Sequence, residues 1–278
     1  MEFLAPAKIN LSLIVHGRRD DGFHEIETLM VPISIFDRLD IERRDTGGLD
    51  FTCDDPSVPA DETNLVVRAA RLFCREAGVE PHLRIALRKT IPHGAGLGGG
   101  SSDAATTLLA LDGLLGTKLP REKLASLGAE LGSDVPFFIF QSAARCRGRG
   151  EHVVPEAFPH AIPLLLIKPP FGVPTPWAYQ RWRDSREIPG VLYAAQTLPW
   201  GEIRNDLERP VFEKYIFLAA LKTWLLAQPE VAGALMSGSG STVFAVLRET
   251  SAGDAVRGRL AAEFGPDLWC YPAATLAP

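Results

Sequence analysis

The sequence predicts an α+β protein built from two domains. Strand patterns and helix patterns are both present, they do not follow a regular βαβ alternation, and no internal repeat of fixed period is visible. The chain has 278 residues, and a domain takes roughly 150 residues. With 46% hydrophobic and 23% charged residues, the chain can bury a core, which excludes disorder as its main state.

The first third of the chain contains both kinds of element. Residues 7–15 alternate apolar and polar side chains and predict a half-buried strand, and a second strand is predicted around residues 39–41. Residues 45–61 are rich in Gly, Asp and Pro and predict turns. An apolar stripe at helical spacing predicts a helix over residues 64–77, and renewed alternation predicts a strand over residues 83–87.

The later elements follow from the same patterns. Helices are predicted over residues 104–115, 121–131, 207–226 and 254–264. Buried strands are predicted over residues 164–168 and 242–247, and an apolar run covers residues 137–140. The segment 141–159 is mixed and basic, without a clear helical or strand period. It is the predicted boundary between a first domain, residues 1–155, and a second domain, residues 156–278.

A glycine-rich loop precedes the helix predicted at residues 104–115. Five glycines occur within residues 94–100, and Ser101 and Ser102 follow them. Glycine permits positive φ and a close approach of the backbone to a ligand, and the next helix directs free N–H groups toward the loop. This pattern favours phosphate binding, with the serine hydroxyls contacting phosphate or Mg²⁺. A plain turn with a serine N-cap is the simpler interpretation, but five glycines argue against it.

Two common nucleotide-binding motifs do not account for this loop. Gly94, Gly96 and Gly99 satisfy G-x-G-x-x-G, but the preceding strand has polar alternation. The residues around position 119 are Lys-Leu-Pro, where a dinucleotide-binding fold requires an acidic residue. The dipeptide Gly-Lys occurs nowhere in the chain, which excludes a Walker-A ATPase. The positive charge that neutralises a phosphate bound here must therefore come from a residue outside this loop.

Charge and cysteine content narrow the class of protein. The net charge of −5, from 29 Lys+Arg and 34 Asp+Glu, argues against a general nucleic-acid binder. The four cysteines are far apart and form no C-x-x-C pair, which argues against a zinc site or a disulfide framework. No apolar run approaches the ~20 residues of a membrane span, and no signal peptide is visible. We expect a cytoplasmic protein with a small-molecule substrate, no nucleic-acid partner and no membrane partner.

Three segments together resemble the motifs of the GHMP kinases, a superfamily of small-molecule kinases. They are Pro6–Leu11, Pro92–Ala104 and Ser237–Thr242, which occur in the family order and span nearly the whole chain. The resemblance implies an N-terminal domain like domain 2 of ribosomal protein S5, a ferredoxin-like C-terminal domain, and ATP and Mg²⁺ as cofactors. No protein metal site is expected, and Ser101 or Ser102 would hold Mg²⁺ together with the ATP phosphates.

Three further segments resemble the family members whose substrate carries a cytidine diphosphate. They are Asp20–His24, Gly132–Phe138 and Asn205–Glu208. The resemblance implies that Phe23 stacks on the cytosine base and that His24 forms a hydrogen bond with the edge of the base. Relatives commonly have Tyr at the position of Phe23, so this chain keeps the ring and lacks the hydroxyl.

The same resemblance implies that Lys8 and Asp134 are catalytic. Lys8 would stabilise charge on the transferred phosphoryl group, and Asp134 would accept the proton of the substrate hydroxyl. Without the resemblance, Lys8 would be a solvated lysine on an exposed strand face. Asp134 would be an ordinary turn or cap residue.

Two sets of binding residues are also implied. The ATP-binding set is Asn64, Lys89, Pro92, Gly94, Ala95, Gly96, Leu97, Gly98, Gly99, Gly100, Ser101 and Ser102. The substrate-binding set is Asn10, Phe23, His24, Thr175, Gly238 and Ser239. Asn64 could equally be the N-cap of its helix, and Lys89 an ordinary strand-end charge. Arg145, Arg147 and Arg149 either draw anions toward the site or form a solvated basic turn, and the turn is favoured.

Two other functions stay open. The chain could be a GHMP kinase that acts on mevalonate or homoserine, or a catalytically silent relative that serves as a binding or regulatory module. The element Asp20–His24 argues against the first, because a base pocket has no purpose without a nucleoside in the substrate. The presence of both Lys8 and Asp134 argues against the second.

Overall fold

A computed structural model describes residues 1–276 of the chain. The strands are β1 (Glu2–Arg18), β2 (His24–Arg43), β3 (Leu49–Cys53), β4 (Leu83–Arg88), β5 (Ala144–Gly148), β6 (His152–Pro155), β7 (Pro163–Lys168), β8 (Gln196–Leu198), β9 (Gly201–Asn205), β10 (Val231–Met236), β11 (Val243–Leu247) and β12 (Trp269–Ala274). The helices are α1 (Leu65–Ala77), α2 (Gly99–Leu115), α3 (Arg121–Leu131), α4 (Val135–Phe140), α5 (Thr175–Arg181), α6 (Glu208–Lys214), α7 (Ile216–Leu226) and α8 (Gly253–Phe264). Within residues 1–276, none of the helices combines the length and apolarity that crossing a membrane requires.

The larger sheet has the strand order β3-β4-β2-β1-β9-β8, and the β5–β6 hairpin joins it through β2. Strands β1 and β2 are antiparallel, with Ile9 opposite Val31. Ile9 and Leu11 lie in the core, as the alternation predicts. The other face of β1 is buried as well, and it carries Lys8 and Asn10. It is covered because the glycine-rich loop at residues 94–100 and a second glycine-rich loop, residues 237–242, approach it.

Helices α1 to α4 pack with the larger sheet around a core that includes Phe73 and Phe137. Helix α1 begins after Asn64, whose side chain accepts a hydrogen bond from the backbone N–H of Val66 at 2.8 Å. It ends at Gly78, which has a left-handed φ of 66°. These are the standard chemical signals for the start and the end of a helix.

The smaller sheet has the strand order β10-β11-β7-β12, and its neighbouring strands are antiparallel. Helices α6 to α8 share its core, which includes Phe212. Lys222 on α7 donates a hydrogen bond to Glu208 on α6 at 2.5 Å, and both side chains are 1% exposed. Glu208 also accepts the backbone N–H of Met236 at 2.9 Å. This buried ion pair therefore joins two helices to the end of β10, where the second glycine-rich loop begins.

The α+β prediction is confirmed, although several elements differ from the predicted ones. The helix predicted over residues 207–226 is divided at Tyr215 into α6 and α7. Residues 137–140 belong to α4. The segment 141–159 contains the β5–β6 hairpin, whose strands are too short to show a clear alternation. Residues 196–205, from the second half of the chain, form β8 and β9, and β9 pairs with β1 in the larger sheet. The division into residues 1–155 and 156–278 stays a prediction.

Candidate active site

Two cavities adjoin the glycine loop that leads into α2. One has a volume of about 460 Å³ and is lined by Lys8 and Asp134 among others, and we refer to it as the Lys8 cavity. The other has a volume of about 370 Å³ and is lined by Asn64 among others, and we refer to it as the Asn64 cavity. Gly96 and Gly98 line both cavities. The loop is therefore the point at which ligands in the two cavities would meet.

Two glycines of this loop are required by their surroundings. Gly96 has a φ of +76°, and a Cβ atom there would overlap the carbonyl oxygen of Ser237. Gly98 has a φ of +72°, and a Cβ atom there would lie 2.9 Å from the ring of Phe138 and 3.1 Å from Cγ of Lys8. Because left-handed backbone also disfavours side chains, any other residue would displace the loop from β1 and from the second loop.

The second glycine-rich loop, residues 237–242, is fastened to the first. Ser237 donates its hydroxyl to the carbonyl oxygen of Gly96 at 2.9 Å. The side-chain nitrogen of Asn205 donates to the carbonyl oxygens of Met236 and Gly238, both at 2.7 Å. Asn205 thus stabilises the conformation of a loop that lines the Lys8 cavity.

One end of the Lys8 cavity holds a buried ammonium beside a reachable carboxylate. Lys8 Nζ donates to Asn10 Oδ1 at 2.7 Å and lies 3.5 Å from Asp134 Oδ2. The amide nitrogen of Asn10 donates in turn to Thr28 Oγ1 at 2.7 Å. The Lys8 side chain is 4% exposed and that of Asp134 is 36% exposed. Burial and the nearby Asp134 charge raise the pKa of Cys146 to about 12, so this thiol stays protonated.

The other end of the Lys8 cavity is aromatic. Phe23 is half exposed, and the ring of His24 stacks on the ring of Tyr179 with centroids 5.4 Å apart. Burial lowers the pKa of His24, so its ring is neutral at pH 7 and can both donate and accept a hydrogen bond. The hydroxyls of Thr175 and Ser239 lie 2.7 Å apart on the cavity wall. This end suits a flat, polar-edged ring.

The Asn64 cavity contains residues that also have structural partners. Asn64 caps α1, as the alternative interpretation proposes, and its amide nitrogen donates to the carbonyl of Pro59 at 2.6 Å. The Lys89 ammonium contacts Asp37 and lies 2.8 Å from Asp103 Oδ2. Burial alone would lower the pKa of Lys89, but the two carboxylates outweigh it and raise the pKa. Lys89 is therefore not an ordinary strand-end charge.

All six residues of the substrate-binding set line the Lys8 cavity. Ten of the twelve residues of the ATP-binding set line the Asn64 cavity, and the exceptions are Leu97 and Ser102. The Leu97 side chain is 1% exposed and packs in the core, while its carbonyl oxygen accepts the N–H of Lys8 at 2.9 Å. Ser102 is fully buried in the first turn of α2.

Two family models match this chain. The model of the GHMP kinases N terminal domain matches residues 64–142, and that of the GHMP kinases C terminal matches residues 195–267. A protein of Methylacidiphilum infernorum named 4-diphosphocytidyl-2-C-methyl-D-erythritol kinase is 47% identical over 247 residues, which cover 87% of this chain and 85% of that protein. A protein of the same name from Ralstonia nicotianae is 43% identical over 263 residues, which cover 94% and 90%. The chain belongs to the 4-diphosphocytidyl-2-C-methyl-D-erythritol kinase family.

Solved structures agree with this assignment. A crystal structure of 4-(cytidine 5'-diphospho)-2C-methyl-D-erythritol kinase superposes with a TM-score of 0.82 at 37% identity and covers 100% of both chains. A homoserine kinase from Cytophaga hutchinsonii and the Methanococcus jannaschii mevalonate kinase each superpose with a TM-score of 0.66, at 19% and 13% identity. These two share the fold alone. The predicted GHMP kinase fold and the predicted resemblance to this family are both confirmed.

The Lys8 cavity of this 4-diphosphocytidyl-2-C-methyl-D-erythritol kinase family member also contains residues for which the sequence predicts no role, among them Tyr179. Tyr179 lies on α5, four residues after Thr175, so one helical turn brings both to the same face. The prolines around position 174 indicate a loop, but Pro176 occupies the first turn of α5, where proline is tolerated. Arg149 lines the cavity too, although the sequence favours a solvated basic turn at this position.

Proposed function

We propose that this chain is an ATP-dependent kinase that phosphorylates the 2-hydroxyl of 4-diphosphocytidyl-2-C-methyl-D-erythritol, in the non-mevalonate route to isoprenoids. The observation that carries the proposal is the Lys8 cavity, with the Lys8–Asp134 pair at one end and the aromatic side chains of Phe23, His24 and Tyr179 at the other. Similarity to kinases of that name over 87% and 94% of this chain supports this cytidine diphosphate-linked methylerythritol as the substrate.

The reaction needs a base for the acceptor hydroxyl and positive charge for the phosphoryl group. Asp134 takes the proton of the 2-hydroxyl, whose oxygen bonds to the γ-phosphorus of ATP as the bond to the β–γ bridging oxygen breaks and ADP leaves. Lys8 stabilises the negative charge that develops on the transferred group. Asn10, 2.7 Å from the ammonium, holds it in position for this task. The nucleotide occupies the Asn64 cavity, and its phosphates reach the acceptor beside Gly96 and Gly98.

The chain's oxygen donors fit Mg²⁺ beside the ATP phosphates. Ser101 lines the Asn64 cavity, and the buried hydroxyl of Ser102 has no hydrogen-bond partner within residues 1–276. Hydroxyl and phosphate oxygens are the ligands that Mg²⁺ accepts. When bound with ATP, Mg²⁺ neutralises part of the phosphate charge. Ser101 or Ser102 would hold it at the start of α2, together with the ATP phosphates.

The aromatic end of the Lys8 cavity selects the nucleoside. The exposed Phe23 ring stacks on the cytosine base, and the neutral His24 ring forms a hydrogen bond with its polar edge. Tyr179 supports His24 through their stacked rings. Thr175, Gly238 and Ser239 enclose the rest of the acceptor. The cytoplasmic location stays a prediction.

The decisive experiment is a coupled assay of ADP release with ATP and Mg²⁺. The cytidine diphosphate-linked methylerythritol, mevalonate and homoserine are offered in parallel, and we expect turnover with the first alone. Asp134→Asn should lower kcat by roughly 10²- to 10⁴-fold, the usual contribution of a general base. ATP binding by this variant should stay nearly intact. The matched control is Asp254→Asn, because Asp254 is exposed on α8, outside both cavities.

Each other outcome points to one of the alternatives. Turnover with mevalonate or homoserine would replace the cytidine substrate but keep the kinase chemistry. ATP binding without turnover on any acceptor would favour a catalytically silent relative. Near-normal turnover by Asp134→Asn would remove its role as the base.

A further inference from the structure

Arg149 lines the Lys8 cavity and adjoins both the Phe23 ring and the backbone beside Asp134. It occupies the turn between β5 and β6, and its guanidinium carbon is 4.7 Å from the centroid of the Phe23 ring. The next residue, Gly150, lies beside the catalytic carboxylate, since a Cβ atom there would be 3.7 Å from Asp134 Oδ1. A single turn thus contacts the reacting end through its backbone and the aromatic end through its side chain.

The two cationic side chains that line this cavity differ in how closely other residues of the protein hold them. Lys8 and Arg149 are the Lys and Arg side chains that line it within residues 1–276. The Lys8 ammonium is already held by Asn10 and Asp134. The Arg149 guanidinium has one ion pair within the described chain, to Glu151 at 3.6 Å, which is longer than a hydrogen bond. Most of its five N–H donors are therefore available to a ligand.

We infer that Arg149 binds the diphosphate group of the acceptor, an inference that rests on the proposed function. In that substrate the diphosphate joins the cytidine to the methylerythritol. When the base stacks near Phe23 and the 2-hydroxyl reaches Asp134, the diphosphate lies in the stretch of cavity between them, which Arg149 borders. A guanidinium matches phosphate oxygens with paired N–H donors.

The contact with Phe23 prepares Arg149 for this role. A guanidinium over an aromatic face is attracted by the ring, and the attraction limits the positions that the long side chain samples. The guanidinium thereby lies over one face of the Phe23 ring. Arg149 is thus a specificity residue that distinguishes a nucleoside diphosphate from an uncharged nucleoside.

The test compares the binding of cytidine and of cytidine 5'-diphosphate by titration calorimetry. The proteins are the wild type, Arg149→Met, Arg149→Lys and the control Arg147→Met. Arg147 lies on β5, pairs with Glu27 and is 62% exposed outside the Lys8 cavity. Arg149→Met should weaken the binding of cytidine 5'-diphosphate about tenfold or more, as expected for the loss of charged hydrogen bonds. It should weaken the binding of cytidine less than about twofold. Arg149→Lys should recover part of the loss, and Arg147→Met should change neither affinity.

Steady-state kinetics give a second readout. Arg149→Met should raise KM for the cytidine diphosphate-linked acceptor, while KM for ATP and kcat change little. Equal weakening of cytidine and its diphosphate would overturn the inference, because it would leave Arg149 as a support for the Phe23 ring alone. Unchanged affinity for both ligands would also overturn it. Failure of the wild type to bind either ligand, with turnover of mevalonate or homoserine, would overturn the proposed function together with this inference.

Discussion

The side-chain nitrogen of Asn205 lies 2.7 Å from the carbonyl oxygen of Gly238 and donates a hydrogen bond to it. The same nitrogen donates to the carbonyl of Met236, and the side-chain oxygen accepts the N–H of Leu207 at 2.9 Å. Asn205 is buried, so these partners replace water. One amide therefore links the start of α6 to the loop that closes the Lys8 cavity.

Asn205→Ala should impair both stability and catalysis. Two buried carbonyls lose a donor, which costs about 1–3 kcal/mol for each group left unsatisfied. We expect a lower midpoint in urea unfolding and a lower kcat/KM for the acceptor. The control is Gln196→Ala, since Gln196 makes an equivalent bond to the carbonyl of Ala234 at 2.8 Å, outside both cavities. That variant should lose stability with kinetics unchanged, and an equal kinetic loss in both would contradict a specific role for Asn205.

Phe23→Ala should weaken binding of the acceptor selectively. Stacking of a base on an aromatic ring is worth about 1–3 kcal/mol. We expect KM for the cytidine substrate to rise by the factor that this lost stacking energy corresponds to. KM for ATP should stay near the wild-type value. Because Phe23 is half exposed, the unfolding midpoint should barely move. Phe23→Tyr, which keeps the ring, is the control, and equal changes in both KM values would remove the stacking assignment.

Gly96→Ala and Gly94→Ala separate backbone strain from steric overlap. Both glycines have positive φ, +76° and +63°, but a Cβ atom at Gly94 meets nothing within 4 Å while one at Gly96 overlaps the Ser237 carbonyl. Gly94→Ala should lower the free energy of unfolding by about 1–2 kcal/mol, because a side chain is unfavourable on a left-handed backbone. Gly96→Ala should lower the free energy of unfolding by about 1–3 kcal/mol more, because the added methyl group overpacks the site. It should also abolish turnover. Similar urea midpoints and similar rates for the two variants would contradict this.

Asp103 should make stability fall as the pH rises. Burial raises the pKa of its carboxyl to about 7, against an ordinary value of 3.8, and the attraction of Lys89 only partly offsets this. Between about pH 4 and about pH 7 the folded protein then binds more protons than the unfolded chain, so stability decreases through that window and levels off above it. The free energy of unfolding of Asp103→Asn, measured by urea titration against pH, should lack this decrease. A difference from the wild type that is constant across the window would contradict the prediction, and Asp254→Asn serves as the exposed control.

Elements whose structure depends on neighbouring residues could be predicted from the sequence. The spacing of glycines in residues 94–100 predicts a close backbone approach, and Gly96 and Gly98 make that approach in the structure. The Asn64 and Gly78 signals delimit α1 through hydrogen bonds within a few residues. Alternation in residues 7–15 predicts β1, although the strand is longer, because pairing with β2 extends it at both ends.

The features that could not be predicted from the sequence depend on contacts between distant parts of the chain. The burial of Lys8 comes from loops around residues 97 and 237, which no local pattern of β1 reveals. Arg149 resembles a solvated basic residue until the β5–β6 hairpin brings it over Phe23. The place of β9 next to β1 likewise depends on a parallel pairing between residues far apart in sequence.

The pairing of β9 with β1 has a consequence for synthesis on the ribosome. It joins Ser12 to Arg204 and Leu13 to Asn205, so this part of β1 keeps an unpaired edge until residues 201–205 have emerged from the exit tunnel. An unpaired strand edge is a template for association with other chains. A nascent chain that pauses before this point exposes that edge. Translation of β9 therefore determines when this part of β1 can be covered, and the catalytic centre also requires residues 237–242, which are translated later.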